Sequence, residues 1–434
     1  MYIHRYMQTN DMKFTPLFHS PHGLLVGDAP LVGVLDLPST ATNHERPPIR
    51  LFFPATSASS SVSHRVKQAR YFVDNRVCYV LQGFAHIALA RHTTKLYRFV
   101  LRPLMWVISL IFPVRFLKIP NTALVTEDSP VRYFPTNIKI NESKIKQSLV
   151  MFSHGLTGTG EENAIFCTAL AKQGYVVACI HHRDGSSSRV PMPDGSCKFY
   201  EHLPSGDDYS PRFRLKQVQY RAEEFLYATK WLLGEERGGE YDDHPILQQI
   251  RPNLDDKKVI ASGFSYGSTT CSLAATMEPK RFQCGVMLDG WFHVDFSSKG
   301  FEFDFPPEAF GSAWPTEANR NGNERSAIVQ NKGGLIIPSI FINSAQFEGY
   351  QKLYASTRKL ASNINSHNKD DEAIPKSTLH VIPNTKHQNF CDVGFWLPKF
   401  FLSRMGKLLA LGDADVFEAY ESILDLTLKF LKQF

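Results

Sequence analysis

Apolar positions along the chain fall into runs of two kinds. Strand-length runs are almost unbroken: Leu149-Val150-Met151-Phe152, Tyr175-Val176-Val177-Ala178-Cys179-Ile180, Val259-Ile260-Ala261, Cys284-Gly285-Val286-Met287-Leu288 and Ser339-Ile340-Phe341-Ile342. Strands covered on both faces of a parallel sheet read this way, because neither face meets water. Longer runs repeat at helical spacing. One covers roughly Asn163 to Gln173, and a third passes through Cys271, Leu273 and Ala274. Between them, Leu215 to Leu233 turns Val218, Ala222, Phe225 and Leu226 to one inner face, with Arg221 near the same face. Strands alternating with helices predict an α/β chain with a central, mostly parallel sheet flanked by helices.

The N-terminal third is less regular. Ile49 to Pro54 reads as a strand stopped by its proline. Residues 56–66 are rich in Ser, Thr and Ala and predict a surface loop, and parts of 68–97 carry helical spacing. The most apolar stretch follows. Twelve residues between Arg102 and Arg115 carry no charge, whereas a membrane-spanning helix needs about 20. Two readings stand for Leu104–Val114. It packs on the core as a buried helix, or it serves as an interface or acyl-pocket element. At an interface, Trp106 and Phe112 insert, with Arg102, Arg115 and Lys118 at the rim.

A length of 434 residues suits one large α/β domain with additions. The reading is a single domain over 1–434, with N-terminal strands and the apolar surface segment in 13–148. The net charge of +6 comes without a Lys/Arg-dense block interleaved with aromatics, so no nucleic-acid track is indicated. It allows a mild preference for an anionic lipid surface. Seven scattered cysteines include no CxxC pair, and the odd count fits reduced, buried thiols. No His-x-x-x-His occurs with a glutamate at helical spacing, so neither metal nor other cofactor is expected. Met1 to Met12 lack an apolar secretory core and Tyr2 offers no myristoylation signal. The expectation is a cytoplasmic protein with peripheral membrane association, with secretion left open.

The chemistry centres on Gly263-Phe264-Ser265-Tyr266-Gly267, a Gly-x-Ser-x-Gly set between a predicted strand and a predicted helix. That context makes Ser265 a candidate nucleophile on a sharp strand-to-helix turn, with the Tyr266 amide aimed where a carbonyl oxygen becomes negative. Upstream, the strand ending at Ser153 empties into His154-Gly155-Leu156-Thr157-Gly158. A glycine-bearing loop there supplies a second oxyanion amide, assigned to Leu156. His154 is rejected as base because this loop is shaped to present amides. His181-His182-Arg183-Asp184 ends the next strand and reads as a salt-bridged turn or as an ordering element of the substrate mouth. Asp289 and Glu348 both follow strands beyond the serine, and His387 lies on the loop after the last strand. Nucleophile, acid and base then stand in the order of the α/β-hydrolase fold, with the nucleophile elbow at Ser265.

Together with these residues, Phe152-Ser153-His154-Gly155-Leu156, His182-Arg183-Asp184, Leu288-Asp289-Gly290-Trp291, Phe341-Ile342-Asn343-Ser344 and His387-Gln388-Asn389-Phe390 resemble the platelet-activating factor acetylhydrolases of the lipoprotein-associated phospholipase A2 type. The resemblance runs from about Pro21 to the C-terminus. It implies Ser265 as nucleophile, Asp289 rather than Glu348 as the acid, His387 as base, and Leu156 and Tyr266 as oxyanion donors. It also implies calcium-independent hydrolysis of acetyl, short or oxidised sn-2 acyl esters of phospholipids, at a membrane or lipoprotein surface. A phospholipase A1 or a general carboxylesterase or lipase would use the same three groups, and a non-catalytic scaffold is the reading from another class. Two positions depart from the family: Phe264 stands where a histidine is usual, and Ser268 where a glycine is usual. Both bear on oxyanion-loop packing or leaving-group fit. Residues 296–335 exceed the family's usual length, an insertion expected near the active-site mouth. The oligomeric state is not legible.

Overall fold

The computed structural model describes residues 21–39, 46–57, 67–72, 118–126, 129–135, 146–202, 211–237, 239–296, 301–304, 335–396 and 411–434, with isolated positions 83, 86, 87, 399 and 402. The apolar segment Leu104–Val114, with Trp106 and Phe112, lies outside the described residues, as does most of 296–335.

The strands are β1 (Leu31–Leu37), β2 (Ile49–Ser57), β3 (Thr122–Leu124), β4 (Val131–Tyr133), β5 (Gln147–Ser153), β6 (Val176–Ile180), β7 (Arg189–Pro191), β8 (Cys197–Phe199), β9 (Leu254–Phe264), β10 (Phe282–Leu288), β11 (His293–Phe296), β12 (Phe301–Asp304), β13 (Ser339–Ser344) and β14 (Thr378–Ile382). The helices that matter to the site are α1 (Ala164–Lys172), α2 (Pro211–Leu233), α3 (Tyr266–Met277), α4 (Ala345–Gly349), α5 (Gln351–His367) and α6 (Val416–Leu431). One sheet runs β14-β13-β10-β9-β5-β6-β2-β1-β3, with β4 pairing β2. The strands from β14 to β6 are all parallel, and β2 is antiparallel to β6, β1 and β4. This is a mixed, mostly parallel sheet flanked by helices, an α/β-hydrolase-like fold.

The unbroken apolar runs divide by strand parity. Leu149 and Met151 of β5 enter one core with Val218, Ala222 and Phe225 of α2 and Cys271 and Ala274 of α3. Val150 and Phe152 enter the other core with Ile165 and Phe166 of α1 and Ile423 of α6. Side chains alternate across a strand, so a strand between two helical layers needs apolar residues at every position.

Pro54 does not stop β2, which continues to Ser57. Pairing with β6 ends at Phe52, and the Pro54 carbonyl accepts a hydrogen bond from the Phe134 N–H at 2.9 Å. A residue's nitrogen and carbonyl face the same side of a strand. The missing N–H therefore faces Phe134, just past the end of β4, and leaves the pairing with β1 intact.

The start of α1 shows how distant residues complete a local element. Asn163 occupies the N-cap but makes no capping bond, and its amide donates to the Phe390 carbonyl at 2.7 Å. The orphan N–H of Ile165 instead donates to Asp392 Oδ2 at 2.9 Å, and Tyr420 on α6 donates to Asp392 Oδ1 at 2.6 Å. A carboxyl from far along the chain thus satisfies a helix terminus that local sequence leaves open.

Candidate active site

Ser265 stands between β9 and α3 with φ 55° and ψ −121°, a left-handed backbone rarely adopted by a non-glycine residue. Close approach on either side makes the turn possible. A Cβ on Gly263 would lie 2.4 Å from the Gly267 carbonyl, and one on Gly267 would lie 1.9 Å from the Ser153 carbonyl oxygen. The serine N–H donates to the Leu288 carbonyl at 2.8 Å, which locks the turn onto β10. Ser268 binds the same node, its Oγ donating to the Leu288 carbonyl at 3.1 Å and to the Gly263 carbonyl at 2.7 Å.

Three of the expected residues converge. His387 Nε2 lies 2.9 Å from Ser265 Oγ, and His387 Nδ1 lies 2.6 Å from Asp289 Oδ2. Asp289, fully buried just after β10, also accepts from the Ser344 N–H at 2.7 Å and the Ser344 hydroxyl at 2.9 Å. Glu348, the other acid considered, is exposed on α4. The backbone N–H of His387 donates to Gln346 Oε1 at 3.0 Å. The imidazole is stacked on Phe264 and Phe347, with ring centroids 4.7 Å and 4.6 Å away. The departure at Phe264 therefore bears directly on the histidine, beyond the loop packing expected for it.

Leu156 lines a cavity of 930 Å³ together with Ser265, His387, Glu162, Trp291 and Tyr350. The amides flanking Leu156 are occupied: Gly155 N–H donates to Glu162 Oε1 at 2.7 Å and Thr157 N–H to the Ser186 carbonyl at 2.7 Å. Tyr266 is the first residue of α3, where a helix leaves its N–H groups without intrahelical partners. Trp291 and Tyr350 stand at the cavity with 36% and 52% of their surface exposed.

Beneath the loop lies a polar layer that the sequence marked only partly. Arg221 of α2 donates to Ser186 Oγ at 2.9 Å, to Ser153 Oγ at 3.0 Å and to the His154 carbonyl, and its guanidinium sits 4.9 Å from the Tyr266 ring centroid. Its sequence signal was a cation near an otherwise apolar helix face. His154 Nδ1 donates to the Gly155 carbonyl at 2.7 Å, and burial with Arg221 nearby pushes its pKa well down. His182 bridges Ser153 Oγ at 2.9 Å and Glu224 Oε2 at 3.0 Å, while Arg183 donates to Glu224 Oε1 at 2.7 Å. The His182-Arg183 turn is thus salt-bridged through Glu224, a residue the sequence reading did not single out. Burial raises the Glu224 carboxyl to about 7, although Arg183 opposes the shift.

A strand-turn-helix serine linked through histidine to a buried aspartate, above a mostly parallel sheet, defines an α/β-hydrolase-type serine site. A solved ferulic acid esterase from Streptomyces cinnamoneus shares the fold, with a TM-score of 0.54 and 14% identity over 93% of this chain and 90% of that one. The family model for platelet-activating factor acetylhydrolase, isoform II, matches residues 132–296. A platelet-activating factor acetylhydrolase of Gallus gallus is 30% identical over 309 residues, 66% of this chain and 62% of that protein. One of Canis lupus familiaris is 32% identical over 163 residues, 34% of this chain and 35% of that protein. Over these stretches the chain is similar to the platelet-activating factor acetylhydrolases, and its matched stretch spans less than two thirds of either relative.

Proposed function

We propose that this chain is a serine hydrolase of carboxylic esters. The observation that carries the reading is the unbroken relay from Ser265 Oγ through His387 to Asp289, at 2.9 Å and 2.6 Å. In this nucleophile elbow, His387 takes the Ser265 proton as the oxygen attacks the ester carbonyl. Asp289 orients the imidazole and stabilises its charged form. The amides of Leu156 and Tyr266 receive the oxyanion, each contributing about 3 kcal/mol in the transition state. The alcohol leaves with the proton from His387, and water activated by the same histidine releases the acid. A fluorophosphonate probe tests this: labelling must occur and must vanish in Ser265→Ala. A folded protein that is never labelled sinks the reading and favours a non-catalytic scaffold.

Within that class, similarity to the platelet-activating factor acetylhydrolases favours phospholipids with acetyl, short or oxidised sn-2 acyl chains, platelet-activating factor among them. Phospholipids differentially labelled at sn-1 and sn-2 discriminate: release of the sn-1 chain means phospholipase A1, and cleavage of simple esters alone means a general esterase. Peripheral association with a membrane or lipoprotein surface through Trp106 and Phe112 belongs to the same proposal. Among the described residues no helix is long and apolar enough to cross a membrane. Replacing both side chains by serine should spare turnover of a soluble ester and reduce turnover on vesicles. Equal loss on both would remove the surface role.

A further inference from the structure

Glu162 lies in the turn before α1, and its carboxyl lines the same cavity as Ser265 and His387. Its position is set from both ends. The Glu162 N–H donates to the Thr159 carbonyl at 3.1 Å, and the Glu162 carbonyl accepts from the Asp392 N–H at 2.7 Å. The side chain then reaches back under the loop that precedes it, where Oε1 accepts the Gly155 N–H at 2.7 Å. The fit around it is close. A Cβ on Gly158 would meet both carboxyl oxygens at 2.1 Å, so a side chain there would displace the carboxyl. A Cβ on Gly155 would lie 3.3 Å from Glu162 Oε1, from Phe264 and from the Ser265 Cβ alike, so carboxyl and serine flank one glycine.

We propose that Glu162 is a positioning residue for ester hydrolysis: by holding the Gly155 amide it fixes the neighbouring Leu156 amide over Ser265. The inference rests on the esterase reading. Leu156 is one residue further along a loop whose other flank is pinned by Thr157 to Ser186. With its N–H released, Gly155 would keep only its carbonyl bonds, from His154 Nδ1 at 2.7 Å and from the Gly158 N–H at 3.2 Å. A carboxyl beside a developing oxyanion helps only while it is neutral, because a second negative charge there would oppose the transition state. Burial raises Glu162 to about 8, against the opposing Gly155 bond and Arg221. The ionisable groups that face it are Arg221 from α2, and Cys391 and Asp392 from the segment before the C-terminal helices. His387 shares its cavity. Adjacent Glu161 is turned to Arg189, at 2.8 Å.

The test uses the full chain, a soluble p-nitrophenyl ester and the fluorophosphonate probe. Glu162→Ala should lower kcat by about 10²-fold, the scale of a lost oxyanion donor, with a much smaller change in KM. Glu162→Gln keeps an acceptor for Gly155 and carries no charge. It should retain activity and abolish the wild-type decline of kcat/KM as pH rises through about 8. If Glu162→Ala does not fold, the pH profile of Glu162→Gln decides alone. Unchanged kcat in Glu162→Ala, or the same alkaline decline in Glu162→Gln as in wild type, overturns this inference and leaves the esterase reading intact. A wild-type chain that is neither labelled nor active overturns both.

Discussion

The ring of Phe347 lies face to face with the His387 imidazole, with centroids 4.6 Å apart and planes 6° from parallel. Phe264 stacks on the same ring at 4.7 Å and 28°. Two aromatic faces confine the imidazole while its two nitrogens bind Ser265 and Asp289. Phe347→Ala should let the ring tilt and lower kcat by about 10²-fold, the scale of an ångström-level misplacement. KM should change less than kcat, because the lost ring acts on the orientation of the imidazole. Steady-state kinetics on a soluble ester checks this. An unchanged kcat would mean that the three hydrogen-bonded groups hold their geometry unaided.

Asp289→Asn should lower turnover by about 10⁴-fold through the wrong imidazole tautomer. The Asp289 carboxylate accepts from Ser344 as well as facing His387. Asparagine must therefore present its NH₂ either to the Ser344 N–H or to the imidazole and the Ser344 hydroxyl together. Single-turnover kinetics with the probe, alongside Glu348→Gln as control, measures the difference. Glu348→Gln should leave the rate unchanged.

Ser268→Ala should reduce stability without touching Ser265 Oγ. The lost hydroxyl bonds two carbonyls, Gly263 at 2.7 Å and Leu288 at 3.1 Å, in a fully buried position. The expected loss is about 1–2 kcal/mol, read from urea unfolding. A midpoint identical to wild type would show that the Ser265 N–H bond to Leu288 already secures the turn.

Stability should respond to pH through Asp392. Burial raises its carboxyl to about 8, with the Tyr420 and Ile165 bonds opposing. Between its ordinary value of 3.8 and about 8, the folded chain holds a proton that the unfolded chain has released. This contribution is full below the lower value and is lost as pH rises through the upper one. Asp392→Asn should therefore make the fall of unfolding free energy with pH shallower, by up to about 1.4 kcal/mol per pH unit. Denaturant unfolding from pH 5 to 8 measures it. An unchanged slope would place the titration on other buried acids such as Glu224.

The sequence by itself determined the order of strands and helices in the catalytic half, and the serine and histidine of the relay. Those signals are local. An apolar run without alternation marks a doubly covered strand such as β5, and Gly263 and Gly267 around Ser265 mark a turn that tolerates no Cβ. What only the tertiary structure decided depends on chain segments far apart in sequence. Spacing alone left Asp289 and Glu348 open, whereas the fold buries Asp289 against Ser344 and exposes Glu348. Pro54 reads as a strand stop until the partner strand's end is known, since a missing N–H matters only where a ladder bond is due. The stacking of Phe347 and Phe264 on His387, the Glu162 grip on Gly155 and the Asp392 cap on α1 each join residues through space. No periodicity along the chain encodes such contacts, because they are fixed by how the sheet brings its strand ends and loops together.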